Sequence, residues 1–246
     1  MSQLTVSILA AGLGKRMQSP LPKVLHEVSG VPMIVRVVKE VVKLNPNKII
    51  IIVGKFKDFI DETVKKYLNC DLIEYAIQSE PLGTGDAIKY TLDYLPENGF
   101  NLIVNGDNPM LKAETLQSAI DHFINQKFNL QITAIDTKNP FGSGRIFIQG
   151  GIFQKIIEEK DCNEEERYIT IVNTGIYLAM NHVLKKYIPL IQNDNAQQEY
   201  YLTDIVELYK KDGHMGLYIL DSSQELEVIN INTKMQLEEL NKKIEI

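Results

Sequence analysis

The sequence predicts an α/β protein, with a mostly parallel sheet flanked by helices on both faces. Three observations predict it. Short aliphatic runs alternate with segments of helical period up to about residue 140. The runs close on small or turn residues, as at Ala10-Ala11-Gly12, Gly54 and Gly106-Asp107. The composition, 44% apolar and 24% charged over 246 residues, is that of a globular chain able to bury a real core without staples.

Taken in order, Leu4 to Ala10 reads as the first strand. Pro32 suits the first position of a helix running to about Leu44, with Ile34, Val37, Val38 and Val41 on one face. Lys48 to Val53 is a continuous aliphatic strand. Phe59, Ile60, Val64, Tyr67 and Leu68 form the next helical stripe. Leu72 to Ile77 reads as a strand, Thr84 to Leu95 as a helix, Leu102 to Asn105 as a strand, Glu114 to Asn125 as a helix and Leu130 to Asp136 as a strand. Beyond residue 140 the texture changes. Arg145 to Ile148 and Ile152 to Ile157, around Gly150-Gly151, suggest a hairpin. Tyr168 to Leu178 reads as a strand interrupted at Asn173-Thr174-Gly175, and Glu199 to Lys211 as a helix with Gly213 beyond it. Thr233 and Gln236 have capping-box spacing at the head of a last helix to Lys243.

The charge balance is −6, and the pI is about 5.3. Such a field does not favour non-specific nucleic-acid binding. No apolar run approaches the ~20 residues of a membrane span. The start shows no basic segment followed by an apolar one, so no secretory signal is expected. Cys70 and Cys162, without metal-ligand or redox spacing, fit free thiols in a reducing, cytoplasmic compartment. The four histidines have no zinc-ligand spacing. Yet Met1 to His26 holds Lys15, Arg16 and Lys23 and no acid, which suggests a local anion site.

In an open α/β sheet, ligands bind beyond the carboxyl ends of the strands, and five segments there carry chemistry. Leu9-Ala10-Ala11-Gly12-Leu13-Gly14 lets backbone N–H groups approach an anion, with Arg16 and Lys23 beside it. It is neither a P-loop nor a full dinucleotide fingerprint, because the third glycine is missing. Gln78, followed by Pro81, Gly83 and Thr84, can pair with a base edge, although a glutamine amide alone does not separate uracil from cytosine. Asp107, after Asn105 and Gly106, is placed to hold a hard cation such as Mg2+. Gly144, Glu158 and Asn173 suit a polyhydroxylated ligand. An amide at Asn230-Ile231-Asn232 could complete a metal site.

Together these segments resemble the sugar nucleotidyltransferases. The pattern LAAGxGxRMxSxLPKVLHxVxGxPM spans Leu9 to Met33, and QxxxLGTGDA spans Gln78 to Ala87. GRI at Gly144, IEEKD at Ile157, NTGIY at Asn173 and EYYLTDI at Glu199 narrow the match. They are similar to the uridylyltransferase domain of the bacterial bifunctional enzyme that makes UDP-N-acetylglucosamine. The resemblance implies a Rossmann-like nucleotide-diphospho-sugar transferase fold in one domain, with about residues 1–110 binding nucleotide and about 111–246 binding sugar. It implies UTP and N-acetylglucosamine 1-phosphate as substrates, with Mg2+. Leu9, Ala10, Ala11, Gly12, Gln78, Gly83 and Thr84 would then hold the uridine. Arg16 and Lys23 would be catalytic, Asp107 and Asn232 would ligate metal, and Gly144, Glu158 and Asn173 would hold the sugar, with Asn105 and Gly106 alongside. The chain departs from the family at Asn105, where tyrosine is usual, so the sugar preference is not carried over. No hexapeptide β-helix repeat follows, so acetyltransferase activity is not expected. Thymidylyl, guanylyl or cytidylyl transfer, and a non-catalytic nucleotide-sugar sensor, remain alternatives.

Overall fold

The computed structural model describes residues 3–150 and 152–244. The chain runs through β1 (Gln3–Leu9), β2 (Glu27–Val28), β3 (Val31–Pro32), α1 (Met33–Val42), β4 (Lys48–Val53), α2 (Lys57–Tyr67), β5 (Ile73–Ile77) and α3 (Thr84–Lys89). It continues through β6 (Gly99–Asn105), α4 (Ala113–Asn125), β7 (Leu130–Asp136), β8 (Arg145–Gln149), β9 (Ile152–Ile157) and β10 (Ile171–Met180). Then come α5 (Asn181–Tyr187), α6 (Ile205–Tyr209), β11 (Met215–Leu220) and α7 (Lys234–Ile244). The main sheet has the order β11-β7-β10-β6-β1-β4-β5, with the β8–β9 hairpin attached to β10.

β1 pairs in parallel with both β4 and β6, β5 continues parallel to β4, and β11 runs parallel to β7. β10 is antiparallel to β6 and to β7. Every strand on that path except β10 therefore points the same way, and the carboxyl ends of β1, β5 and β6 open at one edge. β10 starts at that edge. From β1 the chain moves outward to β4 and β5 and then crosses back to β6 on the other side of β1, which makes the end of β1 a topological switch point.

Both sheet faces are buried, as the unbroken aliphatic run of β4 requires. Ile49, Ile51 and Val53 enter one core cluster, and Ile50 and Ile52 the other. A smaller cluster joins Met17, Val28, Met33, Ile231, Leu237 and Leu240, so α7 packs under the loop that follows β1.

Several expected elements differ in detail. In α2 only Ile60 and Val64, one helical turn apart, are fully covered; Phe59 lies off that stripe at 63% exposure. The helix from Thr84 ends at Lys89, and a 3-10 turn covers Leu92–Tyr94. There the Thr91 hydroxyl donates to the Ile88 carbonyl at 2.7 Å, competing with the helical ladder. Residues 199–201 are not helical, because their backbone pairs elsewhere. Tyr200 N–H donates to Leu82 O at 2.8 Å, and Gly85 N–H donates to Tyr200 O at 2.7 Å. Tyr168 lies in a short turn ahead of β10 rather than inside the strand. The hairpin forms as expected, with Gly151 of its turn outside the described residues. Sequence periodicity did not find α5, which is only seven residues long, or β11, whose MGLYIL carries a glycine and is mostly half-buried rather than alternating cleanly.

Candidate nucleotidyl transfer site

A cavity of about 500 Å³ opens at the strand ends. Leu9, Ala10, Ala11 and Gly12 form one wall, beyond β1. Gln78, Gly83 and Thr84 come from the β5–α3 turn, and Asn105, Asp107 and Asn232 close the far side with Arg16 and Lys23. Twelve of the residues singled out from sequence thus share one space.

Local chemistry places each of them. Ala10 N–H donates to Ile52 O at 2.9 Å, which carries the sheet ladder one residue past β1 before the loop departs. Arg16 sits in a single 3-10 turn, Lys15–Met17, whose Met17 is buried in the small cluster. Ile231 is buried in the same cluster, so its neighbours Asn230 and Asn232 are left for the cavity. The 230–232 segment is fastened at both ends. Ile231 N–H donates to Asp107 O at 3.0 Å, and Asn232 N–H to Gln236 Oε1 at 2.8 Å. The capping box forms as the spacing predicts. Thr233 N–H donates to Gln236 Oε1 at 3.0 Å, and Gln236 N–H donates to Thr233 Oγ1 at 3.2 Å.

The charged groups converge. The Lys23 ammonium contacts Asp107 Oδ2 and donates to Asn232 Oδ1 at 3.1 Å. Arg16 Nη2 donates to the same Asn232 Oδ1 at 3.0 Å. A carboxylate oxygen and an amide oxygen therefore share one position next to two cations. This donor set fits a hard divalent cation that keeps waters and phosphate oxygens as its remaining ligands. Among the described residues no cluster of three His, Cys, Asp or Glu offers an all-protein cage.

Gly83 lets the loop between β5 and α3 close on the backbone of Tyr200. Its φ is +120°, and a Cβ there would lie 2.5 Å from Tyr200 O and 2.7 Å from Tyr200 N. Only glycine permits the two backbones to meet this closely. The backbone of Tyr200 makes this contact, while the neighbouring Tyr201 side chain is buried.

The remaining predicted residues stand outside the cavity wall. Gly106 donates its N–H to Leu9 O at 2.9 Å, tying the ends of β1 and β6 together. Gly144, Glu158 and Asn173 form a second group. Asn173 N–H donates to Gly144 O at 2.8 Å, and Asn173 Nδ2 donates to the Tyr177 hydroxyl at 2.6 Å. Thr203 Oγ1 donates to Glu158 Oε1 at 3.0 Å. Burial pushes the Glu158 carboxyl above its ordinary range, outweighing that hydrogen bond, and the nearby carboxylates of Asp204, Asp161 and Glu199 push the same way. Arg145 is fully buried and spends its guanidinium on Glu159 Oε2 at 2.7 Å and on the carbonyls of Ser143 and Arg167. It braces the glycine turn.

Asn105 connects the two groups. Its Nδ2 donates to Asn230 Oδ1 at 3.2 Å, and a Cβ on Gly175 would fall 2.1 Å from that nitrogen. Gly175, at φ +79°, bulges β10 and leaves room for Asn105. Glu199 also lines the cavity without having been singled out as a contact residue, and so does Asn230, whose amide the sequence offered together with that of Asn232. The signal for Asn230 is the polar-apolar-polar alternation around Ile231.

A family model described as nucleotidyl transferase matches residues 6–225. The chain belongs to the nucleotidyl transferase family. Among its relatives, a probable UDP-N-acetylglucosamine pyrophosphorylase of Acanthamoeba polyphaga mimivirus is 48% identical over 96% of this chain and 94% of its own length. The bifunctional protein GlmU of Acinetobacter baumannii strain AYE is 40% identical over 98% of this chain. The chain spans about half of that protein, 52%. A solved structure of a putative glucose-1-phosphate thymidylyltransferase from Bacillus anthracis superposes with a TM-score of 0.75 at 22% identity, covering 98% of this chain and 94% of that one, and supports the fold. Among the described residues no helix is long and apolar enough to cross a membrane.

Proposed function

We propose that this nucleotidyl transferase makes UDP-N-acetylglucosamine and pyrophosphate from UTP and N-acetylglucosamine 1-phosphate. The observation that carries the reading is the convergence of Arg16 and Lys23 on the Asp107–Asn232 oxygen pair, inside the cavity that Gln78 and Gly83 also line. The match to the mimivirus pyrophosphorylase along nearly the whole of both chains supports it.

In this reaction an oxygen of the sugar phosphate attacks the α-phosphorus of UTP, and the bond to the β-phosphate breaks. The attacking oxygen is already ionised, so no general base is needed, and catalysis is positioning and charge neutralisation. Backbone N–H groups between Leu9 and Gly12 and the Gln78–Thr84 turn would hold the uridine. Arg16 would oppose charge gathering on pyrophosphate, and Lys23 would turn its ammonium to the α-phosphate or the incoming sugar phosphate. Asp107 and Asn232 would hold Mg2+, which would supply positive charge to offset that of the phosphates. Glu158 and Asn173 would accept and donate to sugar hydroxyls, with Gly144 shaping their turn. Asn105 would bound the sugar side without an aromatic wall. Cys70 and Cys162 are free thiols, which supports a reducing, cytoplasmic setting.

The test is pyrophosphate release with each of the common nucleoside triphosphates against N-acetylglucosamine 1-phosphate, glucose 1-phosphate and galactose 1-phosphate. We expect kcat/KM to be highest for UTP with N-acetylglucosamine 1-phosphate. A higher value for another pair would keep the chemistry and overturn the substrates.

A further inference from the structure

Gln78 is 3% exposed, and its side-chain amide is not free to turn. Its Nε2 donates to Asp86 Oδ2 at 2.7 Å and to the Gly83 carbonyl at 3.2 Å. An ionised carboxylate and a carbonyl are acceptors only. Both contacts therefore demand the NH2 end of the amide, and both of its protons are spent. The opposite flip would set Gln78 Oε1 against two acceptors in a buried place, which is costly. Oε1 has no protein partner among the described residues and is not among the sealed, unsatisfied atoms. Gln78 lines the cavity, so this oxygen is the atom it offers to a ligand.

We infer that Asp86 is a specificity-determining positioning residue: it converts Gln78 into a dedicated acceptor that selects a base carrying a ring N–H on its pairing edge. The inference rests on the proposed nucleotide reading of this cavity. Uracil presents N3–H to such an acceptor. Cytosine presents the N3 lone pair, which repels Oε1. The sequence alone leaves the amide ambiguous, and a carboxylate eight residues away removes the ambiguity. Asp86 stands in the first turn of α3, directed back toward the β5 end that carries Gln78. It acts through Gln78, since the cavity lining includes Gln78 and not Asp86.

The decisive variant is Asp86→Asn, which keeps size and shape but loses the acceptor-only character. An asparagine amide can accept from Gln78 Nε2 or donate to Gln78 Oε1, so only the longer contact to the Gly83 carbonyl still favours the NH2 end and the flipped orientation becomes accessible. We expect the UTP-over-CTP ratio of kcat/KM to fall by about tenfold or more, with the change in KM and kcat at saturating UTP within about threefold. Asp86→Ala should narrow the ratio in the same direction. Calorimetric titration of UTP and CTP without sugar phosphate reads the same preference with no turnover. A wild-type preference for UTP in binding that shrinks in both variants supports the lock. Equal losses for the two nucleotides would mark Asp86 as merely structural and overturn it, as would a ratio unchanged in Asp86→Asn. Wild-type protein that binds UTP selectively, loses that selectivity in Asp86→Asn, yet turns over no sugar phosphate would support the lock and overturn the proposed reaction instead.

Discussion

Asp204 shows how the site's surroundings set a residue's protonation. Burial, with the charges of Glu207 and Asp161 beside it, pushes its carboxyl from the ordinary 3.8 up to about 6. A folded-state pKa above the unfolded one means that ionisation costs more in the folded chain. The stability is fully present below about pH 4 and is lost as pH rises through about 6. Asp204→Asn should therefore raise Tm above pH 6.5 and leave it nearly unchanged below pH 4, as followed by thermal unfolding across pH; the same gain at both extremes would contradict this origin. At this scale much was legible. Arg16, Lys23 and Asp107 stood out as charged groups in the loops that follow β1 and β6, and Asn232 as an amide in the 230–232 segment that the family resemblance picks out. Gly106 did not separate from its neighbours, since a glycine that seals two strand ends and one that lines a ligand look the same in sequence. Arg145 was equally opaque: its partners lie at Glu159, Ser143 and Arg167, and only the folded turn brings them around it.

Between single residues and the sheet lie the segments that deliver side chains. The loop after β1 and the strip at 230–232 are held on one apolar cluster, through Met17 and Ile231. Packing of α7 thus reaches the charged groups without touching a substrate. Because Arg16 projects from the turn seated on this cluster and Lys23 from a turn anchored by Val24 and Leu25 in the main core, removing either should act on the reaction more than on folding. Arg16→Ala and Lys23→Ala are each expected to lower kcat by roughly 10²–10³, with Tm close to wild type, by steady-state kinetics and thermal unfolding together. Wild-type turnover in either would remove that cation from the mechanism. Element type followed periodicity well where segments were long, as in β4, β7 and α4. It failed at 199–201, where helical spacing lost to long-range pairing with residues 82–85. No local propensity encodes that contact. The only trace is Gly83, whose need for a missing side chain becomes clear when Tyr200 is placed against it.

For the whole molecule, direction of strands is the feature that makes a site. β1, β5 and β6 end at one edge, and β10, running the other way, begins there, so residues from 9 to 232 meet in one cavity. The parallel half was readable from its alternation of aliphatic strand and amphipathic helix. The insertion of antiparallel β10 between β6 and β7 was not, because strand order depends on pairing across more than seventy residues. That insertion places Gly175 against Asn105 and brings the Gly144–Glu158–Asn173 group next to the cavity. The central claim concerns a coupling between two substrates, and product identification tests it directly. Purified chain incubated with UTP, N-acetylglucosamine 1-phosphate and Mg2+ should yield UDP-N-acetylglucosamine and pyrophosphate in equal amounts, read by chromatography and mass spectrometry. UTP consumed without a sugar-linked product, or no product above a Lys23→Ala control, would contradict the account.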